Sequence, residues 1–422
     1  MSTRWFRTPN DQENIAGRQV PPLRIASRGM CCAVGHNARA ATAAIRARMT
    51  HFRETEFVAE DGAPIIGAFL YDLDVWGDER LRLMVRSVLA ECLQSMPHVR
   101  TEDVGVVLLT AQTGGDGLAP LGLVDELDAL GDGSLPGLGP FHPKSCLCAY
   151  GKAGIGRALM NATDMLVQPD HPKYVALVAV DSLLHAAAIE HYLSYERVAT
   201  VANPDGFAPA EGAAVVLLTL DGGDGPSLWI DACSIAEETW RIDADLPLRA
   251  DALTQAIRSA ASIAGTEIAA LDFHASGMSG EGWYAKDVSI AFTRALERRA
   301  PDFDHHMIAR TVGETGAAAS VLTLAWLADA MGREWGGNGA APDIAPCFTL
   351  RKPKGSALRS SFGSATTTQS ADTYQQERAA CKLTSTQTDW KSPVRRQGAT
   401  ASRRRHFPIH VGVHPLLLPD RL

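Results

Sequence analysis

The sequence has few of the features that mark membrane, secreted and metal-binding proteins. No window of eighteen apolar residues is present, so no membrane-spanning helix is expected. The polar segment 1–19 has no apolar stretch of the kind found in secretory signal peptides. The cysteines at positions 31, 32, 92, 146, 148, 233, 347 and 381 form no disulfide framework and no zinc-ligand spacing. We therefore expect a cytoplasmic protein with reduced thiols and no metal.

Other absences narrow the function further. The net charge of -8 gives no reason to expect nucleic acid as a partner of the folded part. Neither a dinucleotide-binding glycine fingerprint nor a phosphate-binding P-loop is present, so no bound cofactor is expected. Aromatic residues make up only 6% of the chain whereas glycine occurs 37 times, which favours close packing of helices on sheets. The composition is that of a globular enzyme.

Short apolar runs alternate with amphipathic helical patterns along most of the chain. This alternation predicts an α/β protein with parallel or mixed sheets, and its 422 residues can form two domains. Polar, serine- and threonine-rich composition after residue 365 predicts disorder. We divide the chain into four predicted segments: a flexible arm at 1–22, an N-terminal half at 23–225, a C-terminal half at 226–365 and a disordered tail at 366–422.

The segment Ser145–Ala158 is the first candidate site. Its cysteines, Cys146 and Cys148, precede a helix whose apolar residues recur at spacings of three and four. A thiol near a helix N-terminus is easily activated, because the helix dipole favours the thiolate. The alternative is that the cysteine acts only as a small buried apolar residue.

Two motifs resemble the β-ketoacyl synthases (3-oxoacyl-ACP synthases) of the thiolase-like superfamily. The nucleophile segment of that family reads Cys-Ala, five residues, then Ile-Gly-x-Ala, which Cys148-Ala149 and Ile155–Ala158 match without a gap. The segment Asp205–Ala214 matches a later motif of the family, with Ala210 in place of a glycine. The first match selects Cys148 over Cys146. The resemblance extends from about residue 23 to residue 363.

The resemblance implies a thiolase-like fold with two similar halves, each with a mixed sheet and helices on both faces, in five α-β-α-β-α layers. It implies an acyl group carried on Cys148, with the amides of Cys148 and Ser364 as an oxyanion hole. The substrate would be an acyl thioester of acyl carrier protein or coenzyme A, in fatty acid or polyketide biosynthesis. A homodimer, or a heterodimer with a synthase paralogue, would form by pairing of the strand Tyr174–Val180 across a two-fold axis.

The second half departs from the family pattern. His274 is retained, but Glu314 replaces the second histidine and Ala309, next to Arg310, occupies the lysine position. Ser364 and the residues after it replace the glycines of the last motif, and the closing strand is absent. Both a frameshift and a divergent terminus would produce such an ending.

Glu314 leaves two functions open. An ionised carboxylate about 4 Å from developing negative charge costs about 4 kcal/mol at an effective dielectric of about 20, so malonyl decarboxylation is expected to be impaired. A buried, protonated Glu314 could instead donate a hydrogen bond, and a third possibility is that Glu314 only caps the helix that follows. We expect an acyl-thioester acyltransferase that uses Cys148, His274 and Glu314. The alternative is a non-catalytic partner subunit or acyl-carrier docking module.

Overall fold

The computed structural model describes residues 21–112, 121–222, 227–238, 242, 246–271, 273–300, 304–332 and 349–350, all in one compact unit. The predicted tail at 366–422 lies outside these residues, as does nearly all of the predicted arm at 1–22. The predicted boundary between the halves at 225 falls in a gap between described segments. These divisions remain predictions.

Eleven strands and nine helices are assigned in the described residues. The strands are β1 (Leu23–Cys32), β2 (Arg53–Val58), β3 (Pro64–Gly67), β4 (Val104–Leu109), β5 (Cys146–Cys148), β6 (Tyr174–Ser182), β7 (Glu211–Thr219), β8 (Trp229–Ile230), β9 (Phe273–Ala275), β10 (Asp304–His306) and β11 (Thr349–Leu350). The helices are α1 (Ala38–Arg46), α2 (Gly77–Gln94), α3 (Leu121–Asp132), α4 (Ile155–Val167), α5 (Ala186–Ser194), α6 (Asp251–Ile263), α7 (Gly282–Ala295), α8 (Ala309–Val312) and α9 (Ala319–Gly332).

The main sheet is mixed and has the strand order β5-β4-β6-β7-β1-β8. Strand β4 runs parallel to β5 and β6, whereas β7 is antiparallel to both of its neighbours. The expectation that Tyr174–Val180 pairs with a second subunit is wrong, because β6 is hydrogen-bonded to β4 on one side and β7 on the other. Its backbone therefore has no free edge to offer. Strand β5 is at the edge of the sheet instead.

Side chains of the main sheet alternate between two apolar layers. Val106 and Leu108 of β4 belong to the cluster formed with α2 and α3, whereas Val107 and Leu109 belong to the cluster formed with α4 and α9. A strand covered on both faces reads as a continuous apolar run, as this one does. Helix α9 is mostly apolar and is buried between the layers, and Trp326 near its middle is 1% exposed.

A second, smaller sheet completes the predicted layering. Its strand order is β10-β9-β11. Phe273 of β9 packs into the cluster that contains α4 and α9, whereas α6 and α7 form a separate apolar cluster with Leu271. The described residues thus form the five α-β-α-β-α layers, and the predicted α/β thiolase-like fold is confirmed.

Local patterns misplaced the elements of this second half. The apolar run 268–273 favours a strand in the sequence, but the structure has a 3-10 turn over Ile268–Ala270, and β9 starts only at Phe273. The sequence pattern favours a helix from Asp287, but α7 starts five residues earlier, at Gly282. Its first amide donates a 2.6 Å hydrogen bond to the carboxylate of Asp205, which is 77 residues away in the chain. Such a distant cap leaves no local sequence signal.

A buried charge pair joins α2 to the start of β7. Arg80 donates from Nε to Oε2 of Glu211 at 2.8 Å, and the two side chains are 5% and 1% exposed. Glu211 also accepts the amide of Leu70 and the hydroxyl of Ser182. With every oxygen partnered, Glu211 fixes the backbone, as its position at the strand end predicts.

No helix in the described part of the chain is both long and apolar enough to cross a bilayer.

We predict that Arg80→Met lowers the free energy of unfolding by about 3–5 kcal/mol, because it leaves the carboxylate of Glu211 buried without its cation. Urea denaturation followed by circular dichroism measures the change. The double variant Arg80→Met/Glu211→Leu should recover most of the loss. The control is Lys173→Met, which breaks an exposed 3.0 Å pair with Asp103 and should cost less than about 1 kcal/mol. An equal loss in both single variants would contradict the argument.

Candidate active site

Cys148 is the last residue of β5, and the chain turns immediately after it. The amide of Thr110 donates to the carbonyl of Cys148 at 3.0 Å, and the amide of Gly151 donates to the carbonyl of Thr110 at 2.9 Å. These two bonds fix the turn against the end of β4. A 3-10 turn over Gly151–Gly154 then leads into α4. The prediction of a thiol near a helix N-terminus is therefore only partly right. Cys148 precedes α4, but it ends a strand, and the 3-10 turn separates it from the first residue of the helix.

The thiol of Cys148 is fully buried and lies between two polar side chains. The side-chain amide of Asn161, nearly two turns into α4, donates to its sulfur at 3.1 Å. The pKa of Cys148 is raised well above the ordinary value, first by a hydrogen bond with Cys146 and then by burial. The Asn161 amide and the charge of Arg157 act in the opposite direction. In this conformation, therefore, the neighbours of Cys148 favour the thiol.

His274 lies on β9 with its ring on the α7 side of the small sheet. The ring lies 4.1 Å from that of Phe292 and stacks on the ring of His305 at 4.4 Å, measured between centroids. Nε2 of His305 is 2.7 Å from the hydroxyl of Ser276. Burial lowers the pKa of His305 to about 4, so this ring is neutral near pH 7. The catalytic role of His274 remains a prediction, and its contacts with ring neighbours are those of a packed histidine.

Glu314 makes two contacts that define its role in the structure. One carboxylate oxygen accepts the amide of Gly316 at 2.9 Å, at the start of the 3-10 turn Gly316–Ala318. The other accepts a hydrogen bond from the ammonium group of Lys152. The first contact corresponds to the capping role that was one of the predicted possibilities for Glu314. The second places a cation against the carboxylate, a partner that the sequence analysis missed.

Lys152 brings together the three segments that carry the predicted residues. It belongs to the turn after Cys148 and pairs with Glu314 of the second half. A Cβ placed on Gly277, three residues after His274, would lie 3.2 Å from Cε of Lys152. Gly277 therefore lets the loop after β9 approach the lysine closely. The turn after Cys148, the loop after His274 and the turn at Glu314 therefore meet at the side chain of Lys152.

Asp181, at the end of β6, anchors the turn that follows Glu314. Its carboxylate accepts the amides of Ala317 and Ser182, each at 2.8 Å. A Cβ on Gly316, which has a φ of +54°, would lie 2.1 Å from this carboxylate, so only glycine fits there. Burial raises the pKa of Asp181 to about 6, and the nearby charge of Glu314 contributes in the same direction. Asp181 thus fixes backbone, as its position predicted.

The motif Asp205–Ala214 is hydrogen-bonded to the backbone of Glu314. The amide of Glu314 donates to the carbonyl of Ala208 and the amide of Ala210 donates to the carbonyl of Glu314, both at 2.9 Å. A motif that resembles a functional signature therefore holds the backbone of Glu314 in place. Ala210 stands where the family has a glycine. Its Cβ is the atom that a Cβ placed on Gly313 would come closest to.

Other predicted residues stand apart from this constellation. Ser364, the second predicted oxyanion amide, lies outside the described residues. A cavity of about 500 Å³ borders the β2–β3 hairpin and the Arg80–Glu211 pair, and none of the predicted catalytic residues lines it. Among the described residues, no group of three or more histidine, cysteine or acidic side chains could hold a metal ion.

We predict that Cys146→Ala lowers the pKa of Cys148, because it removes the hydrogen bond that contributes most to raising it. The pH midpoint of iodoacetamide labelling at Cys148, followed by peptide mass spectrometry, should fall. Asn161→Leu should raise the midpoint, because it removes a donor to the thiolate. Cys31→Ala, a buried thiol on β1, is the control and should leave the midpoint unchanged. Equal midpoints in all four proteins would contradict this account of the thiol.

Three solved structures with extensive structural similarity are all ketosynthases. No family model and no curated protein matches the sequence. A ketosynthase complex with a type II polyketide acyl-carrier protein has a TM-score of 0.56 at 13% identity, over 78% of this chain and 92% of that one. The Xenorhabdus doucetiae ketosynthase with its chain length factor has a TM-score of 0.51 at 13% identity, over 75% and 84%. The Bacillus subtilis bacillaene synthase module 6 ketosynthase has a TM-score of 0.56 at 11% identity, over 76% and 64%. The chain therefore has the thiolase-like fold of the ketosynthases.

Proposed function

We propose that the protein is an acyl-thioester acyltransferase that carries its acyl group on Cys148. The observation that supports this most strongly is the position of Cys148 at the end of β5, on the turn into α4, with the Asn161 amide directed at its sulfur. In the acylation step, the thiolate attacks the acyl carbonyl carbon. A new C–S bond forms, and the thiol of the acyl donor leaves.

The donor would be an acyl thioester of acyl carrier protein or coenzyme A. A solved structure with this fold contains a ketosynthase bound to its acyl-carrier protein, which supports a carrier-bound donor. Other neighbours contain a ketosynthase with a chain length factor, which supports a paired assembly. The proposed protein is a homodimer, or a heterodimer with a synthase paralogue, and acts in fatty acid or polyketide biosynthesis in the cytoplasm.

The high pKa and full burial of Cys148 favour a second candidate function. A thiol held protonated between Cys146 and the core is a poor nucleophile until its surroundings change. A non-catalytic subunit or acyl-carrier docking module would not need the thiolate. The two candidates differ in a single observable, which is whether the sulfur of Cys148 becomes acylated.

We predict that incubation with short- and medium-chain acyl thioesters adds one acyl mass to the intact protein. Cys148→Ala should abolish the adduct, because its sulfur is the acyl acceptor. Cys146→Ala is the matched control and should still be acylated, since Cys146 lies in the same strand but outside the motif register. Intact-mass spectrometry and peptide mapping measure both. An unchanged mass in the wild type, or an equal adduct in Cys148→Ala, would support the non-catalytic alternative.

A further inference from the structure

We propose that Lys152 is a catalytic residue that stabilises the enolate of a malonyl-type thioester, and that Glu314 is its positioning residue. This inference rests on the proposed function, because it requires an acyl group on Cys148. It names both the second substrate and the group that would activate it. The donor at this place is an ammonium group from the nucleophile turn rather than an imidazole at position 314.

The location of Lys152 supports this role. It is four residues after Cys148, on the 3-10 turn between the nucleophile and α4. Its side chain reaches Glu314 and runs past Gly277 in the loop after His274. The segments that carry Cys148, His274 and Glu314 therefore converge on the side chain of Lys152.

The contacts of Lys152 leave it able to bind a substrate oxygen. An ammonium group has three N–H donors, and Glu314 accepts from one of them. The lysine side chain is 28% exposed, so ligands can reach it, whereas Glu314 is only 7% exposed. Glu314 is held in turn by its bond to the amide of Gly316, and its backbone is held by Ala208 and Ala210. The carboxylate of Glu314 is thus a fixed anchor for the ammonium group of Lys152.

The ion pair changes the electrostatics expected at this position. An uncompensated carboxylate opposes the negative charge that develops on an enolate oxygen. The Lys152–Glu314 pair itself carries no net charge and still offers N–H donors. A donor directed at developing charge accelerates such a step, because it binds the transition state more tightly than the ground state.

The step balances without an added oxidant or reductant. The C–C bond between the α-carbon and the carboxylate of the malonyl group breaks, and carbon dioxide leaves. The electron pair of that bond is delocalised onto the thioester oxygen, where Lys152 donates a hydrogen bond. The α-carbon then attacks the acyl carbonyl on Cys148, and the C–S bond breaks with its electrons returning to sulfur.

The test compares two readouts in the full-length protein. Acylation of Cys148 is measured by intact mass, and decarboxylation is measured as carbon dioxide released from malonyl thioester by the acylated protein. Lys152→Met should lower release by about 100-fold, the effect typical of losing one oxyanion donor, and leave acylation within about twofold. Lys152→Arg should retain more activity than Lys152→Met, because it keeps a cationic donor. Lys173→Met, which removes an exposed lysine paired with Asp103, is the control and should match the wild type.

Glu314 is tested by non-additivity. Glu314→Gln should lower release by about tenfold, because the lysine loses its anchor. Lys152→Met/Glu314→Gln should be no slower than Lys152→Met alone, since the two residues act as a unit. The double variant also removes the unpaired buried charge, so it keeps the test available where Lys152→Met does not fold.

The possible failures can be distinguished. Acylation of Cys148 with undiminished carbon dioxide release in Lys152→Met, or in the double variant, would overturn the role of Lys152 and leave the acyltransferase intact. Absence of acylation in the wild type would overturn both. Additive losses in the double variant would show that Glu314 acts separately from Lys152 and would overturn its positioning role.

Discussion

The ion pair between Lys152 and Glu314 is the contact on which the candidate site depends. It joins the turn after Cys148, in the first half of the chain, to the turn before α9, in the second. Each partner is fixed by its own half: Lys152 by the short turn that leads into α4, and Glu314 by the amide of Gly316 and the backbone of Ala208 and Ala210.

Several acidic side chains near this pair hold the backbone in place and have no part in the proposed reaction. Asp181 accepts hydrogen bonds from the amides of Ser182 and Ala317. Its carboxylate fits because Gly316 has no side chain. Asp205 accepts a hydrogen bond from the first amide of α7. Glu211, in the same motif, pairs with Arg80. Acidic side chains that resemble catalytic groups in the sequence thus fix backbone in the structure. Asp181 and Glu211 are buried, and each accepts at least two hydrogen bonds, as buried polar groups require.

The sequence predicted the first half of the fold better than the second. Long apolar strands such as Val104–Leu109, buried on both faces, leave a strong signal. The strands of the second sheet are only two or three residues long, and α7 starts at a cap supplied by Asp205, so neither has a local pattern. The order of strands in the main sheet is set by tertiary pairing, which is why the interface strand was assigned wrongly to Tyr174–Val180.

The site was predictable where a motif fixed the register and not where a contact joined distant segments. The motif correctly predicts that Cys148 precedes a helix, although it ends a strand and not a turn, and a capping role for Glu314 is among the predicted alternatives. Lys152 and Glu314 are 162 residues apart, so their pairing has no sequence signal. The contact between Asn161 and Cys148 joins two different elements, so it has no local pattern either.

A single-turnover experiment tests the central claim most directly. The protein is acylated at Cys148, freed of excess donor and mixed with malonyl thioester, and both carbon dioxide and the acyl group remaining on the protein are followed in time. The account predicts that one carbon dioxide is released for each acyl group lost from Cys148, with the acyl group recovered on the malonyl-derived carbon. Loss of the acyl group to water with no carbon dioxide, or an acyl group that stays on Cys148, would contradict it.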